Sequence, residues 1–165
     1  PVESESTFHL PAAQMDRFLL RISMGYPKPE EERQMLHQLG DEIPFHTVTP
    51  VTDAEGLIRA QEEIRKVHLG DQVADYIVAL ADATRNHPQL VMGASPRATL
   101  SVTAVAKAVA QLRGRDYVIP RDVQEVFLRT VEHRLLLTPK AENSGIKPET
   151  VLKQILGTVV APKVQ

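Results

Sequence analysis

Apolar residues recur at spacings of three and four along most of this 165-residue chain, the rhythm of helices with one buried face. The strongest instance runs from Gly93 to Leu112, where Ala98, Val102, Val105, Val109 and Leu112 form one continuous stripe. Start signals precede it. Ser95 offers a capping hydroxyl, Pro96 fits the first helical position because its missing N–H had no partner there, and Gly93 lets the backbone turn in. This stretch is expected to be the core helix of its domain. Further helices are predicted over Pro29–Leu39, from the capping-box spacing of Thr52-Asp53-Ala54-Glu55 onward, and over Asp71–Asn86. The second carries the stripe Leu57, Ala60, Ile64 and Val67, and the third carries Val73, Tyr76, Ile77 and Leu80. Pro120–Leu137 aligns Val123, Phe127, Val131 and Leu135, and a last helix spans Pro148–Leu156, with Gly157 beyond its end. Lys140–Lys147 is polar and reads as a mobile loop.

The N-terminal third breaks this rhythm. Pro1–Leu10 has neither helical nor strand period and reads as a loop, followed by a short helix over Pro11–Arg17. Phe18–Met24 is a compact apolar run ended by Gly25-Tyr26-Pro27, which suits a strand buried on both faces of a parallel sheet. His46–Val51 is a weaker second candidate, and Pro50 argues for an edge or a loop. The sheet that Phe18–Met24 would join is therefore expected to lie outside this chain. The pattern predicts a mainly α chain with a boundary near residue 50: an N-terminal part over 1–50 and a helical bundle over 51–165. The start at Pro1 rather than methionine suggests a segment of a longer polypeptide.

Composition narrows the chemistry. Apolar residues make up 42% and charged residues 24%, enough for a packed core, and the net charge of −2 supplies no overall basic field for nucleic acid or anionic lipid. There is no cysteine, which excludes disulfides, thiol catalysis and thiolate metal sites and fits a cytoplasmic protein. No apolar run reaches the roughly 20 residues of a membrane span. The six histidines, at positions 9, 37, 46, 68, 87 and 133, form no i, i+4 pair, so no metal site is expected. There is no Gly-x-Ser-x-Gly elbow, and the glutamates of Glu30-Glu31-Glu32 and Glu62-Glu63 read as solvated helix faces. Arg113, Arg115, Arg121, Arg129 and Arg134 concentrate positive charge, but Asp116, Asp122, Glu125 and Glu132 interleave them. No nucleic-acid partner is expected.

Two arginines remain. Arg97 projects from the first turn of the core helix, where free N–H groups and the helix dipole favour anions, so it suits a phosphate; the plainer reading is an exposed first-turn residue. Arg17 precedes the apolar run, and on local grounds it pairs with Asp16 or another acidic neighbour.

Three segments in order, LPAAQMDRFLLRISMGYP, GASPRA and LRGRDYVIPRDV, lie within residues 7–138 and resemble the C-terminal half of MoxR-type AAA+ ATPases. The resemblance implies an α-helical lid over 51–165, preceded over 1–50 by the last strand and helix remnants of a truncated α/β nucleotide-binding core. It implies that Arg17 is an arginine finger reaching the nucleotide of the neighbouring subunit. Arg97 would be the lid arginine called sensor 2, close to the γ-phosphate of its own subunit's nucleotide. ATP and Mg²⁺ would be the cofactors of the parent protein, with none tightly bound to this chain. The parent would be a homo-oligomeric ring, a hexamer, acting as a chaperone-like remodelling or assembly factor on an unidentified client protein. The chain contains no Gly-x-x-x-x-Gly-Lys-Ser/Thr loop and no apolar strand ending in Asp-Glu, so by itself it is expected to hydrolyse no ATP. The alternative is a helical protein-interaction module independent of nucleotide, and phosphate-loop motifs upstream in the reading frame would decide between the two.

Overall fold

The computed structural model describes residues 10–38 and 48–163. Its helices are α1 (Ala12–Met15), α2 (Pro29–Gln38), α3 (Ala54–Lys66), α4 (Asp71–Arg85), α5 (Pro96–Leu112), α6 (Pro120–Val131), α7 (Pro139–Asn143) and α8 (Pro148–Thr158). Two short strands, β1 (Leu90–Met92) and β2 (Leu136–Leu137), pair antiparallel with Leu90 opposite Leu137 and Met92 opposite Leu136. Two units separate, one formed by the chain up to Arg21 together with Glu62 onward, the other by Ile22–Gln61.

In the larger unit α5 packs chiefly on α6, and α4 packs on α5 and α8. The buried face of α5 is Ala98, Val102, Ala106 and Ala110, one i, i+4 row of small residues. The larger Val123, Val126, Phe127 and Val131 of α6 are buried in the same core. Small against large lets two ridges interlock closely. The expected stripe was thus rotated by a fraction of a turn. Val105 and Val109 are only partly buried, and Leu112 is 87% exposed. Alanine contributes little to an apolar pattern read by size, so the larger valines displaced the alanine row in that reading. On α4 the expected face holds, with Val73, Tyr76, Ile77 and Leu80 all buried.

Four further differences concern element ends and short elements. The helix expected over Pro120–Leu137 stops at Val131, passes through a 3-10 turn over Glu132–Arg134 and enters β2, which pairs with the apolar run Leu90–Met92. Strands of two and three residues carry too few positions for a period of two to register. Helix α7 takes up the first half of Lys140–Lys147: Thr138 Oγ1 accepts the Ala141 N–H at 3.3 Å, and Ala141 is buried. At the other helix end Gly145 turns with φ 71°, a conformation suited to glycine. The α8 helix runs through Gly157 to Thr158. At the start of α3 Asp53 rather than Thr52 is the cap, accepting the Gly56 N–H at 2.7 Å, and no residue of α3 is buried; of its expected stripe only Val67, just beyond the helix, is in the core.

Phe18–Met24 forms no strand. Phe18, Leu19, Ile22 and Met24 are exposed along an irregular segment, whose Arg21 N–H donates to the Arg129 carbonyl at 2.8 Å. A strand requires a neighbour to complete its ladder. The loop expected before Leu10, residue 39 of the predicted α2 helix and the first two residues of His46–Val51 lie outside the described residues.

Candidate functional site

The approach to α5 is fixed before any charged group enters. A Cβ on Gly93 would lie 2.6–2.7 Å from the backbone of Thr84 and Arg85, so glycine is required there for close contact with the end of α4, not for a turn. Thr84 Oγ1 accepts the Ala94 N–H at 2.8 Å and donates to the Ala81 carbonyl at 2.6 Å. Arg85 Nε donates to the Ala94 carbonyl at 2.8 Å. Gly93 and Ala94, ahead of the helix, are thereby clamped to α4. Ser95 then caps α5 as its sequence predicts, accepting the Ala98 N–H at 3.2 Å.

Asp16, in the turn after α1, gathers the charged groups. Its Oδ1 accepts from Ser95 Oγ at 2.7 Å and from Arg134 Nη1 at 3.4 Å, and its Oδ2 lies 3.9 Å from Arg97 Nε. The last separation is an ion pair without a hydrogen bond. The Arg97 side chain is 59% exposed and that of Arg134 is 1% exposed. Arg134 also donates to the carbonyls of Phe18 and Leu19, to Ser101 Oγ at 2.9 Å and to His133 Nε2 at 3.3 Å. Burial pushes the Arg134 guanidinium below the usual arginine range, with Arg97 adding like-charge repulsion and Asp16 opposing both. Burial likewise lowers His133, whose Nε2 lies 3.1 Å from the Phe18 carbonyl. A cleft of about 460 Å³ opens beside this cluster, lined by Ala12, Ala13, Asp16, Met92, Gly93, Ser95 and Arg134.

The arrangement brings Arg97 into the cluster, while Arg17, next to Asp16 in the chain, is exposed. What it can do chemically follows from the unequal hold on its two guanidiniums. Arg134 is fully engaged by protein partners. Arg97 keeps most of its donors toward solvent at a capped helix N-terminus, which suits an incoming anion.

A second arginine–carboxylate cluster closes the turn between α5 and α6. Asp122 is fully buried and accepts from Arg113 Nη1 at 3.1 Å, Arg115 Nη1 at 2.8 Å, Arg115 Nη2 at 2.6 Å and the Ile119 N–H at 3.0 Å. Burial alone would raise its pKa, but the Arg115 and Ile119 hydrogen bonds and the two guanidinium charges outweigh it and hold the carboxyl below the usual range. Gly114, at φ 70°, makes the turn. Among the described residues no three histidine, aspartate or glutamate side chains converge as a metal site, and no helix is long and apolar enough to cross a membrane.

Residues 82–155 match the family described as AAA lid domain. The chain is 42% identical over 173 residues to the Mycobacterium tuberculosis protein named chaperone MoxR1, covering 99% of this chain and 45% of that protein. It is 40% identical over 162 residues to the uncharacterised protein YeaC of Bacillus subtilis, covering 98% of this chain and 51% of that one. A crystal structure from Cytophaga hutchinsonii, provisionally described as an ATPase, superposes with a TM-score of 0.90 at 32% identity, over 99% of this chain and 52% of the other. The chain carries an AAA lid domain and is similar over nearly its whole length to MoxR-type proteins. It spans about half the length of the curated relatives it matches.

The lid match contains Arg97, Arg113, Arg115, Asp122 and Arg134, while Asp16 and Arg17 precede it. The motif LRGRDYVIPRDV is therefore the clasp around Asp122, inside the lid and built for stability. Of the five arginines whose charge the sequence interleaves with carboxylates, Arg113, Arg115 and Arg134 are paired with carboxylates, and Arg121 and Arg129 are exposed. Arg134, with Asp16, was missed. Its one signal was its position in His133-Arg134-Leu135-Leu136-Leu137, an arginine entering an apolar run, where burial demands a partner from elsewhere.

Proposed function

We propose that this chain is the nucleotide-sensing and arginine-finger portion of a MoxR-type AAA+ ATPase, a cytoplasmic, chaperone-like remodelling or assembly factor that works as a homo-oligomeric ring. The carrying observation is Arg97: a largely exposed guanidinium at the Ser95-capped end of α5, opposed by Asp16 only at 3.9 Å. That disposition leaves its donors available to the γ-phosphate of ATP held by the rest of the same subunit. Arg17, exposed in the turn after α1, is assigned to the neighbouring subunit's nucleotide. Magnesium would be held by groups outside this chain, and ATP with Mg²⁺ supplies the phosphoryl group to be transferred. Each arginine stabilises charge developing on that group, an effect reaching on the order of 10³ in rate, or about 4 kcal/mol.

The test mixes two inactive variants of the full-length protein under conditions where subunits exchange. An interface that joins the nucleotide site of an Arg17→Ala subunit to a finger from an Arg97→Ala subunit has both arginines intact, so mixed rings should regain activity. Rings of one variant alone should regain none. Confirmed mixed assemblies with no recovery, together with a linear rather than steep loss of activity as either mutant is titrated into wild type, would refute the cis and trans roles.

A further inference from the structure

The carboxylate of Asp16 joins parts of the chain that are far apart in sequence, Ser95 being 79 residues away and Arg134 118 residues away. We infer that this Asp16–Ser95–Arg134 tie couples Arg97 to the backbone that carries Arg17, so that Asp16 is a positioning residue for both arginines. The inference rests on the roles proposed above for those two side chains.

The coupling follows from which contacts are firm and which is loose. Arg17 stands between Asp16, whose side chain is bound to Ser95 and Arg134, and Phe18, whose carbonyl is bound by Arg134 and faces His133. Leu19 gives its carbonyl to Arg134 as well, and the Arg21 N–H reaches Arg129. The backbone on both sides of Arg17 is thus fastened to the lid, and the two belong to one compact unit. Arg97 is attached to the same tie by its weakest contact, the 3.9 Å pair with Asp16 Oδ2 in partly solvated surroundings. A phosphate oxygen at the α5 N-terminus offers Arg97 a charge-assisted hydrogen bond that Asp16 does not make, and so draws it away. Released from that pull, Asp16 is held by Ser95 and Arg134 alone, and the turn that carries Arg17 shifts with it. Occupancy of a subunit's own nucleotide site is in this way felt by the segment that presents Arg17 to the next subunit.

The test is amide hydrogen exchange on the full-length protein with and without magnesium and AMP-PNP, read over residues 11–21 and 93–100. Wild type should show several-fold changes in both segments. Asp16→Asn keeps an oxygen for the Ser95 hydroxyl and removes the charge; the response at 93–100 should persist while that at 11–21 falls below half. In the same variant kcat for ATP should fall, while KM stays level or falls because a competitor for Arg97 is gone. A merely structural role would instead raise KM along with a loss of thermal stability. A response at 11–21 that survives Asp16→Asn undiminished reflects direct contact with the neighbouring nucleotide and overturns the coupling. A wild-type response confined to 93–100 overturns it too, leaving the role of Arg97 intact. No response in either segment, with KM unaffected by Arg97→Ala, removes both the coupling and the reading beneath it.

Discussion

Two carboxylates in this molecule each meet two arginines, and they are used in opposite ways. Asp122 is fully buried, with guanidinium contacts of 2.6, 2.8 and 3.1 Å and a backbone N–H at 3.0 Å. Asp16 is 24% exposed, and its two arginines stand at 3.4 and 3.9 Å. A saturated, desolvated carboxylate is costly to disturb because each partner left behind is itself buried or charged. A carboxylate with one firm partner and one loose partner can exchange the loose one. The first geometry belongs to a joint between helices; the second suits the responsive site proposed above, where an anion would compete with Asp16 for Arg97.

The largest expected effect of breaking this contrast is at the joint. Asp122→Ala leaves Arg115 and Arg113 facing each other without their carboxylate and frees the Ile119 N–H, and should cost about 3 kcal/mol. For a chain of this length that is a fall of about 10 °C in Tm, readable by circular dichroism. A shift of under 2 °C would mean that the clasp contributes little.

Arg134→Met should come next, at about 2 kcal/mol, because it leaves the Phe18 and Leu19 carbonyls, Ser101 and Asp16 short of a donor. Its signature is local. Limited proteolysis should cut within residues 10–21 well before the lid helices, whereas simultaneous cleavage everywhere would mean that Arg134 supports the bundle and not the tie.

These side chains also mark where the sequence stops being legible. Caps and apolar periods are local, and Ser95 with Pro96, or the Val73-Tyr76-Ile77-Leu80 face, could be read from a few neighbouring residues. Asp16 and Arg134 are 118 residues apart, and nothing near either one names the other. Gly93 was recognised as special for the wrong reason, since its need arises from the α4 backbone packed against it. The strand over Phe18–Met24 was legible as an apolar run only, because its pairing would depend on residues elsewhere. The capped helix start with Arg97 in its first turn could be read because it is a local motif, whereas the 3.9 Å contact of Arg97 with Asp16 could not.

Acid should separate the two clusters in order. His133 has a folded pKa below its usual value of 6.5, so the unfolded chain takes up the proton first and stability declines as pH falls below about 6.5. Asp122 has a folded pKa below the unfolded carboxylate value of about 3.9; its contribution is fully present above that value and is lost as pH falls through the lower one. Thermal unfolding followed from pH 8 to pH 3 should therefore show a shallow decline and then a steeper one. His133→Phe should remove the first and Asp122→Asn the second. A first decline that survives His133→Phe assigns it to another group.

The smallest effect is the most discriminating, because it applies one substitution to both carboxylates. Asp16→Asn retains an acceptor for the Ser95 hydroxyl at 2.7 Å and gives up two long charge interactions, one with the exposed Arg97 and one with the buried Arg134, which keeps the Phe18 carbonyl and Ser101 as acceptors. The exposed pair contributes roughly 0–1 kcal/mol and the 3.4 Å contact is weak and replaceable by the amide oxygen, so the folded chain should lose about 1 kcal/mol. Asp122→Asn exchanges the same atoms but turns an amide N–H₂ toward a guanidinium or the Ile119 N–H, so donor meets donor in a site without solvent, and the loss should be at least twice as large. Urea unfolding of the two variants, compared at unchanged slope, measures the difference directly. Equal losses would mean that the fold depends on Asp16 no less than on Asp122. Arg97 would then have no loosely held partner to leave, and the contrast between joint and responsive site would collapse.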